Sequence, residues 1–143
     1  MAAHANRSGF SLMELMIVIM IIGLLAGLVG PAVNNALKKA KKRTTKTTLL
    51  TIKKAITEYQ GDINQLPGTL KDLIKKPRDE KAAKKWESAY LGDGLEDVPG
   101  DAWDNKFHYK LTPGGKHPYE LLSYGPSGKG SDKSEWISVW DEN

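Results

Sequence analysis

The spacing of apolar positions divides the chain into stretches of different character. From Leu15 to Val33, 19 consecutive residues carry no charge, LMIVIMIIGLLAGLVGPAV. As a helix this run would rise roughly 28 Å, about the thickness of a bilayer's hydrocarbon core. Beyond it the pattern becomes periodic. Leu49, Ile52, Ile56 and Tyr59 recur at helical spacing, supported by Leu37, Ala40 and Ala55, with Lys and Thr between them, which is the stripe of a helix with one buried face. The two stretches predict a single helix from about Phe10 to Gln60, ended by Gly61 and Asp62.

After Pro67 the elements shorten. Thr69 with Asp72 three residues on is an acidic form of the capping box, so a short helix is predicted between Thr69 and Lys76, stopped by Pro77. A second helical piece is predicted from Asp79 to Trp86. KFHYKL (106–111) and YELLSY (119–124) flank a Pro-Gly-Gly turn at 113–115 and predict a β-hairpin, with WISVW (136–140) as a third strand. The expected class is α+β: a long N-terminal helix, transmembrane in its first half, packed against a small antiparallel sheet.

Composition sharpens this division. The 143 residues suffice for one domain with an appendage, not for two catalytic lobes. The first 61 residues carry nine basic and two acidic groups, a net +7, while the remainder carries −3; such polarity implies two environments. Cysteine is absent, which excludes disulfides, thiolate metal sites and Cys nucleophiles. The cations of Lys38, Lys39, Lys41, Lys42, Arg43 and Lys46 could attract phosphates, but no base-stacking aromatics are interleaved with them, so a solvated or headgroup-touching helix face is expected and nucleic acid is not. GPSGKGS lacks the glycine spacing of a phosphate-binding loop, and Ser127 lacks that of a nucleophile elbow. No enzyme is expected.

Glu14 is the informative residue. It lies against the start of the uncharged run, where a carboxylate inside the hydrocarbon edge costs on the order of 2.5–3.5 kcal/mol unless a cation meets it. Its setting, RSGFSLMELMIVIM, resembles the N-terminal signal shared by type IV pilins and the pseudopilins of type II secretion. That resemblance implies a leader of residues 1–9, cut by a prepilin peptidase between Gly9 and Phe10. The new amine of Phe10 is then methylated, and Glu14 of one subunit neutralises that amine on the adjacent one. It further implies an assembly helix over 10–34, an amphipathic continuation over 35–61 and a globular periplasmic domain over 62–143. Gly23 and Gly27 form a small-xxx-small pair that lets helices approach in lipid. Gly30 and Pro31 should kink or unwind the helix near residues 27–31, at the position where the family has a helix-perturbing proline.

Residues 86–109 resemble the major pseudopilin of type II secretion in particular, through Trp86, Tyr90, Leu91, Pro99, Asp101, Trp103, Asn105 and Tyr109. Many relatives have proline before the tryptophan where this chain has Ala102. In that family the loop corresponding to SYGPSGKGSDKSEW binds calcium through backbone carbonyls and two aspartates. The resemblance makes Asp132 the chief candidate ligand, with the Tyr124 carbonyl and Ser127, which stands where the first aspartate would be, as lesser ones. The alternative is a glycine loop held by Asp132 capping its own backbone. The acids Asp93, Glu96, Asp97, Asp101 and Asp104 are expected in solvated turns, and His108 and His117 could face each other across the hairpin.

The function implied is a structural subunit that polymerises into a periplasmic filament, working as a piston or scaffold for secretion. Its implied partners are further copies of itself, minor pseudopilins, the prepilin peptidase, and an inner-membrane assembly platform with its ATPase. It would span the inner membrane once, a placement that runs against the usual cytoplasmic bias of cations such as Lys38 to Lys46. The alternatives are a type IV pilin for adhesion, motility or DNA uptake, and a membrane-tethered, calcium-responsive binding domain that never polymerises.

Overall fold

The computed structural model describes residues 9–141; the rest of the leader, with His4 and Arg7, lies outside the described residues. The chain clusters into two units, one up to Lys39 and one from Ala40 onward. Helix α1, Leu12–Ile63, contributes to both. In the first unit every residue from Leu12 to Lys39 is exposed, as befits a helix whose apolar surface is to be covered by lipid or by other helices. The expected unwinding at 27–31 is not present: the helix runs unbroken through Gly30 and Pro31. A single proline withdraws one backbone donor, and cooperative helix on both sides carries the remaining rungs.

In the second unit α1 buries Thr45, Leu49, Ile52, Ala55, Ile56, Tyr59 and Ile63. The stripe therefore opens later than predicted, since Leu37 and Ala40 are exposed. It also closes later. Gly61 and Asp62 remain helical because Ile63, at 5 % exposure, still has core to cover. Asn64 stops the helix at φ +64°, a left-handed geometry that asparagine tolerates, and its N–H donates to the Gln60 carbonyl at 2.9 Å.

Against this stripe lie Leu73, Ala82, Tyr119, Leu121 and Val139; each fully buried Leu or Ile contributes roughly 1.5–3 kcal/mol. The helix predicted between Thr69 and Lys76 is a 3-10 turn, Leu70–Leu73, with the Thr69 N–H donating to the Asp72 carboxylate at 2.9 Å. Leu73, the last residue of the turn, and Ile74, its C-cap, take the buried places. Helix α2, Glu80–Lys85, follows its N-cap Asp79, which accepts from the Ala82 N–H at 2.8 Å. That bond, then one from Gln65, holds the Asp79 carboxyl below its ordinary pKa.

Strands β1 (His108–Leu111), β2 (Tyr119–Ser123) and β3 (Ile137–Ser138) form one antiparallel sheet in the order β1-β2-β3. The hairpin register pairs His108 with Leu122 and Leu111 with Tyr119. β3 is shorter than the predicted 136–140. The Asp141 carboxylate accepts from the Ser138 N–H at 2.8 Å and the Ser138 hydroxyl from the Trp140 N–H at 3.1 Å, so a local turn takes over from the ladder. Lys46 anchors that turn to α1, donating to the carbonyls of Ser138 and Asp141 at 3.0 and 2.7 Å.

Four tyrosines around the core are harder to ionise than usual. Burial raises Tyr59, Tyr109 and Tyr119, and Tyr90 is pushed up to about 12 by burial and then by Asp62. The Tyr109 hydroxyl also donates to the Pro67 carbonyl at 2.8 Å. A phenol whose pKa rises on folding favours the folded state fully below the unfolded pKa of about 10, and that contribution is lost as pH climbs toward the folded value. Urea unfolding of the full chain in detergent should therefore show a flat midpoint up to about pH 10 and a falling one above it. Tyr109→Phe should lower the neutral-pH stability by about 1 kcal/mol and make the alkaline fall shallower.

Candidate functional site

At the N-terminus, Phe10 is 85 % exposed and precedes the first turn of α1. The Ser11 hydroxyl accepts from the Glu14 N–H at 3.2 Å, and the Glu14 carboxylate accepts from the Ser11 N–H at 3.4 Å. This is a reciprocal capping box, and the positive end of the helix dipole favours a carboxylate there. The S-x-x-E spacing at Ser11 to Glu14 is its sequence signature, which the reading of Glu14 by charge alone passed over. The two bonds are long and exposed, so they orient the carboxylate without satisfying it fully, and oxygen lone pairs remain for a stronger partner. Gly9 lies just ahead of the helix, and Pro31 inside it with its ring exposed.

The glycine loop after β2 is organised differently from expectation. The Ser131 hydroxyl donates to the Tyr124 carbonyl at 2.5 Å, and the Trp136 indole N–H donates to the Ser131 carbonyl at 3.2 Å. Asn105 reaches in from the preceding segment to the Gly125 carbonyl at 3.2 Å. The Ser127 N–H points to the Glu135 carboxylate at 3.4 Å. Gly125, at φ +77°, could not be another residue: a Cβ there would lie 2.5 Å from the Glu135 carbonyl oxygen. Asp132 is exposed, stands at the N-cap position of the 3-10 turn Lys133–Glu135, and makes no side-chain bond to that turn. The alternative in which Asp132 holds the loop is thus corrected; Ser131 holds it. Calcium prefers six to eight oxygens, and of the three candidate ligands the Tyr124 carbonyl already serves a hydroxyl, Ser127 engages through its N–H, and Asp132 faces solvent. The donor set as folded does not fit the ion.

Asp101 departs furthest from expectation. Instead of a solvated turn it occupies a buried position at 6 % exposure. One carboxylate oxygen accepts from the N–H groups of Trp103 and Asn105, both at 2.9 Å, and the other from the Ser123 hydroxyl at 2.5 Å. The Ser123 hydroxyl in turn accepts from the Gly125 N–H at 2.9 Å. Next to it, the Ala102 N–H donates to the Thr45 hydroxyl at 3.1 Å, on the fully buried first position of the helical stripe. One carboxylate therefore ties the GDAWDN turn to the end of β2 and the start of the glycine loop, beside a turn-to-helix bond. Four of the five acids in that stretch do face solvent; only the Asp-x-Trp-x-Asn spacing, in which the side chain can cap backbone N–H groups two and four residues on, distinguishes Asp101 in the sequence.

The histidines do not face each other. His108 meets the Glu120 carboxylate at 3.4 Å, while His117 stacks on Trp140 with ring centroids 4.2 Å apart. Trp140 also receives the Lys53 ammonium 3.9 Å from its ring centroid, so Lys46 and Lys53 both serve the fold. Among the described residues no group of three His, Asp or Glu converges as a metal site.

Two family models match this chain: one described as type II secretion system (T2SS), protein G, over residues 32–140, and one described as the prokaryotic N-terminal methylation motif, over residues 4–30. Type II secretion system core protein G of Pseudomonas aeruginosa is 39% identical over 141 residues, covering 94% of this chain and 96% of that one. The protein of the same description from Xanthomonas campestris pv. campestris is 30% identical over 128 residues, covering 89% and 84%. Among solved structures, the major pseudopilin from the type 2 secretion system of enterohaemorrhagic Escherichia coli superposes with a TM-score of 0.59 at 22% identity, over 74% of this chain and 91% of that one. At that identity the likeness concerns the fold alone.

The Asp101 junction yields a direct test. Asp101→Ala strands three donors and should destabilise the second unit by about 3 kcal/mol or more, whereas Ser123→Ala, which leaves one Asp101 oxygen and the Gly125 N–H unpaired, should cost about 2 kcal/mol. Equilibrium urea unfolding followed by tryptophan fluorescence measures both.

Proposed function

The chain belongs to the type II secretion system protein G family, and on that premise we propose that it is the major pseudopilin of such a system. It is made as a precursor, cut between Gly9 and Phe10 by a prepilin peptidase, and methylated on the new amine. The span of α1 holds it in the inner membrane, with the unit built on the helical stripe and the sheet in the periplasm. Copies then stack into a short filament, with minor pseudopilins and an inner-membrane platform driven by an ATPase. The filament acts as a piston or scaffold for moving folded proteins across the outer membrane. The protein is a structural subunit, and its work lies in assembly.

The observation that carries this reading is Glu14: a carboxylate at the head of an uncharged span, held only by a weak, exposed capping box. The match of residues 4–30 to the N-terminal methylation motif supports processing at the same place. The helix from Leu12 is long and apolar enough to cross a membrane and is uncovered in the single chain, which supports lipid as its first environment and neighbouring helices as its second. An ammonium at Phe10 and a carboxylate at Glu14 attract far more strongly at low dielectric than in water. Removing one partner of a buried pair costs roughly 3–5 kcal/mol because the other is stranded.

Glu14→Gln should therefore cut the yield of sheared filaments by about 100-fold or more, while the melting temperature of the detergent-solubilised subunit stays at the wild-type value, because Glu14 contributes nothing to the outer core. The membrane form should have the intact mass of residues 10–143 plus one methyl group. Filaments at wild-type yield, or a mass that begins at Met1, would overturn the assignment.

A further inference from the structure

We propose that the loop from Tyr124 to Trp136 is closed by its own side chains instead of by calcium, with the Ser131 hydroxyl standing where an ion would bind the Tyr124 carbonyl. The inference goes beyond the assembly role and does not depend on filament formation.

A calcium loop works by turning several oxygens toward one point and leaving them short of donors until the ion arrives. Here the carbonyls of Tyr124, Gly125 and Ser131 have their donors within the chain. The Tyr124 carbonyl takes the Ser131 hydroxyl at 2.5 Å, the shortest geometry in the loop, and the Ser131 carbonyl takes the Trp136 indole at 3.2 Å. Ser131 thus bonds both forward and back, linking the end of β2 to the residue before β3. The Gly125 carbonyl takes the Asn105 amide at 3.2 Å, so the GDAWDN turn that Asp101 organises also braces the loop. Two backbone turns, from Gly128 N–H to the Gly125 carbonyl and from Ser131 N–H to the Gly128 carbonyl, both at 3.1 Å, set the curvature between them.

The charges agree with the bonds. Where the resemblance implies a first aspartate, Ser127 brings no negative charge, and its N–H faces the Glu135 carboxylate at 3.4 Å. Glu135 therefore supplies the loop's second carboxylate to a backbone donor, and Asp132 stays exposed without bonding its own turn. An ion entering at Tyr124 would have to compete with the Ser131 hydroxyl for the carbonyl and draw Asp132 in from solvent. Few ligand charges and such a rearrangement both lower calcium affinity. The loop stays folded by an interaction that no chelator can remove.

The test uses the full chain in detergent, with thermal unfolding followed by tryptophan emission, which reports on Trp136 and Trp140 beside the loop. The melting temperature of the wild type should be the same in excess EGTA, in millimolar calcium and in millimolar magnesium, and titration calorimetry with calcium chloride should show no saturable heat. Ser131→Ala should lower the melting temperature by several degrees in all three conditions. A wild-type melting temperature that falls in EGTA and is restored by calcium but not by magnesium overturns the proposal, as does Ser131→Ala melting like the wild type.

Discussion

A carboxylate at the head of 19 uncharged residues is tolerable in a membrane only if something positive answers it. In the single chain the answer is partial: the N–H of Ser11, at 3.4 Å, and the positive end of the helix. That is enough to hold Glu14 at the mouth of the span and too little to satisfy it. The same segment leaves every apolar side chain from Leu12 to Val33 uncovered. An uncovered apolar helix stores well in lipid, and lipid tails give no hydrophobic drive for helices to associate. On the proposed pairing, the unsatisfied acid is what would select a particular neighbour at a particular height, although Glu14 carries out no chemistry of its own.

The second unit solves a separate problem, that of staying folded without disulfides on a modest core. Its solution is to make the second half of α1 part of the core. Leu49, Ile52, Ile56 and Tyr59 are nearly inaccessible to solvent, and the sheet reaches them through Tyr119, Leu121 and Val139. Polar junctions fix what the apolar contacts leave loose. Asp101 gathers three donors, Thr45 receives the Ala102 N–H, and Lys46 ties down the chain after β3.

Much of this was legible in the sequence, for reasons that can be stated. Two periodicities, continuous then helical, marked the span and the stripe, and alternation around Pro-Gly-Gly marked the hairpin. The motif Gly9, Phe10, Glu14 pointed to the family whose N-terminal methylation motif matches residues 4–30. What was not legible depended on partners far away in the chain. Nothing near Gly61 announces that Ile63 will be buried, so the helix ends at Asn64 instead. Asp101 looks like its solvated neighbours until Ser123 is brought to it by the fold. Nothing in the glycine loop's sequence marks Ser131, although its hydroxyl is the donor that closes that loop. The capping box at Ser11 is the exception, a local signal in plain view that the charge of Glu14 overshadowed.

The pairing at the heart of the account can be observed by solid-state NMR on filaments grown from an equal mixture of two subunit preparations, one labelled with nitrogen-15 and the other with carbon-13. The account predicts a through-space correlation between the Phe10 amine nitrogen and the Glu14 carboxylate carbon, which in such a sample can arise only between different subunits. A filament whose subunits are well ordered from Ala40 onward but which lacks that correlation would contradict it.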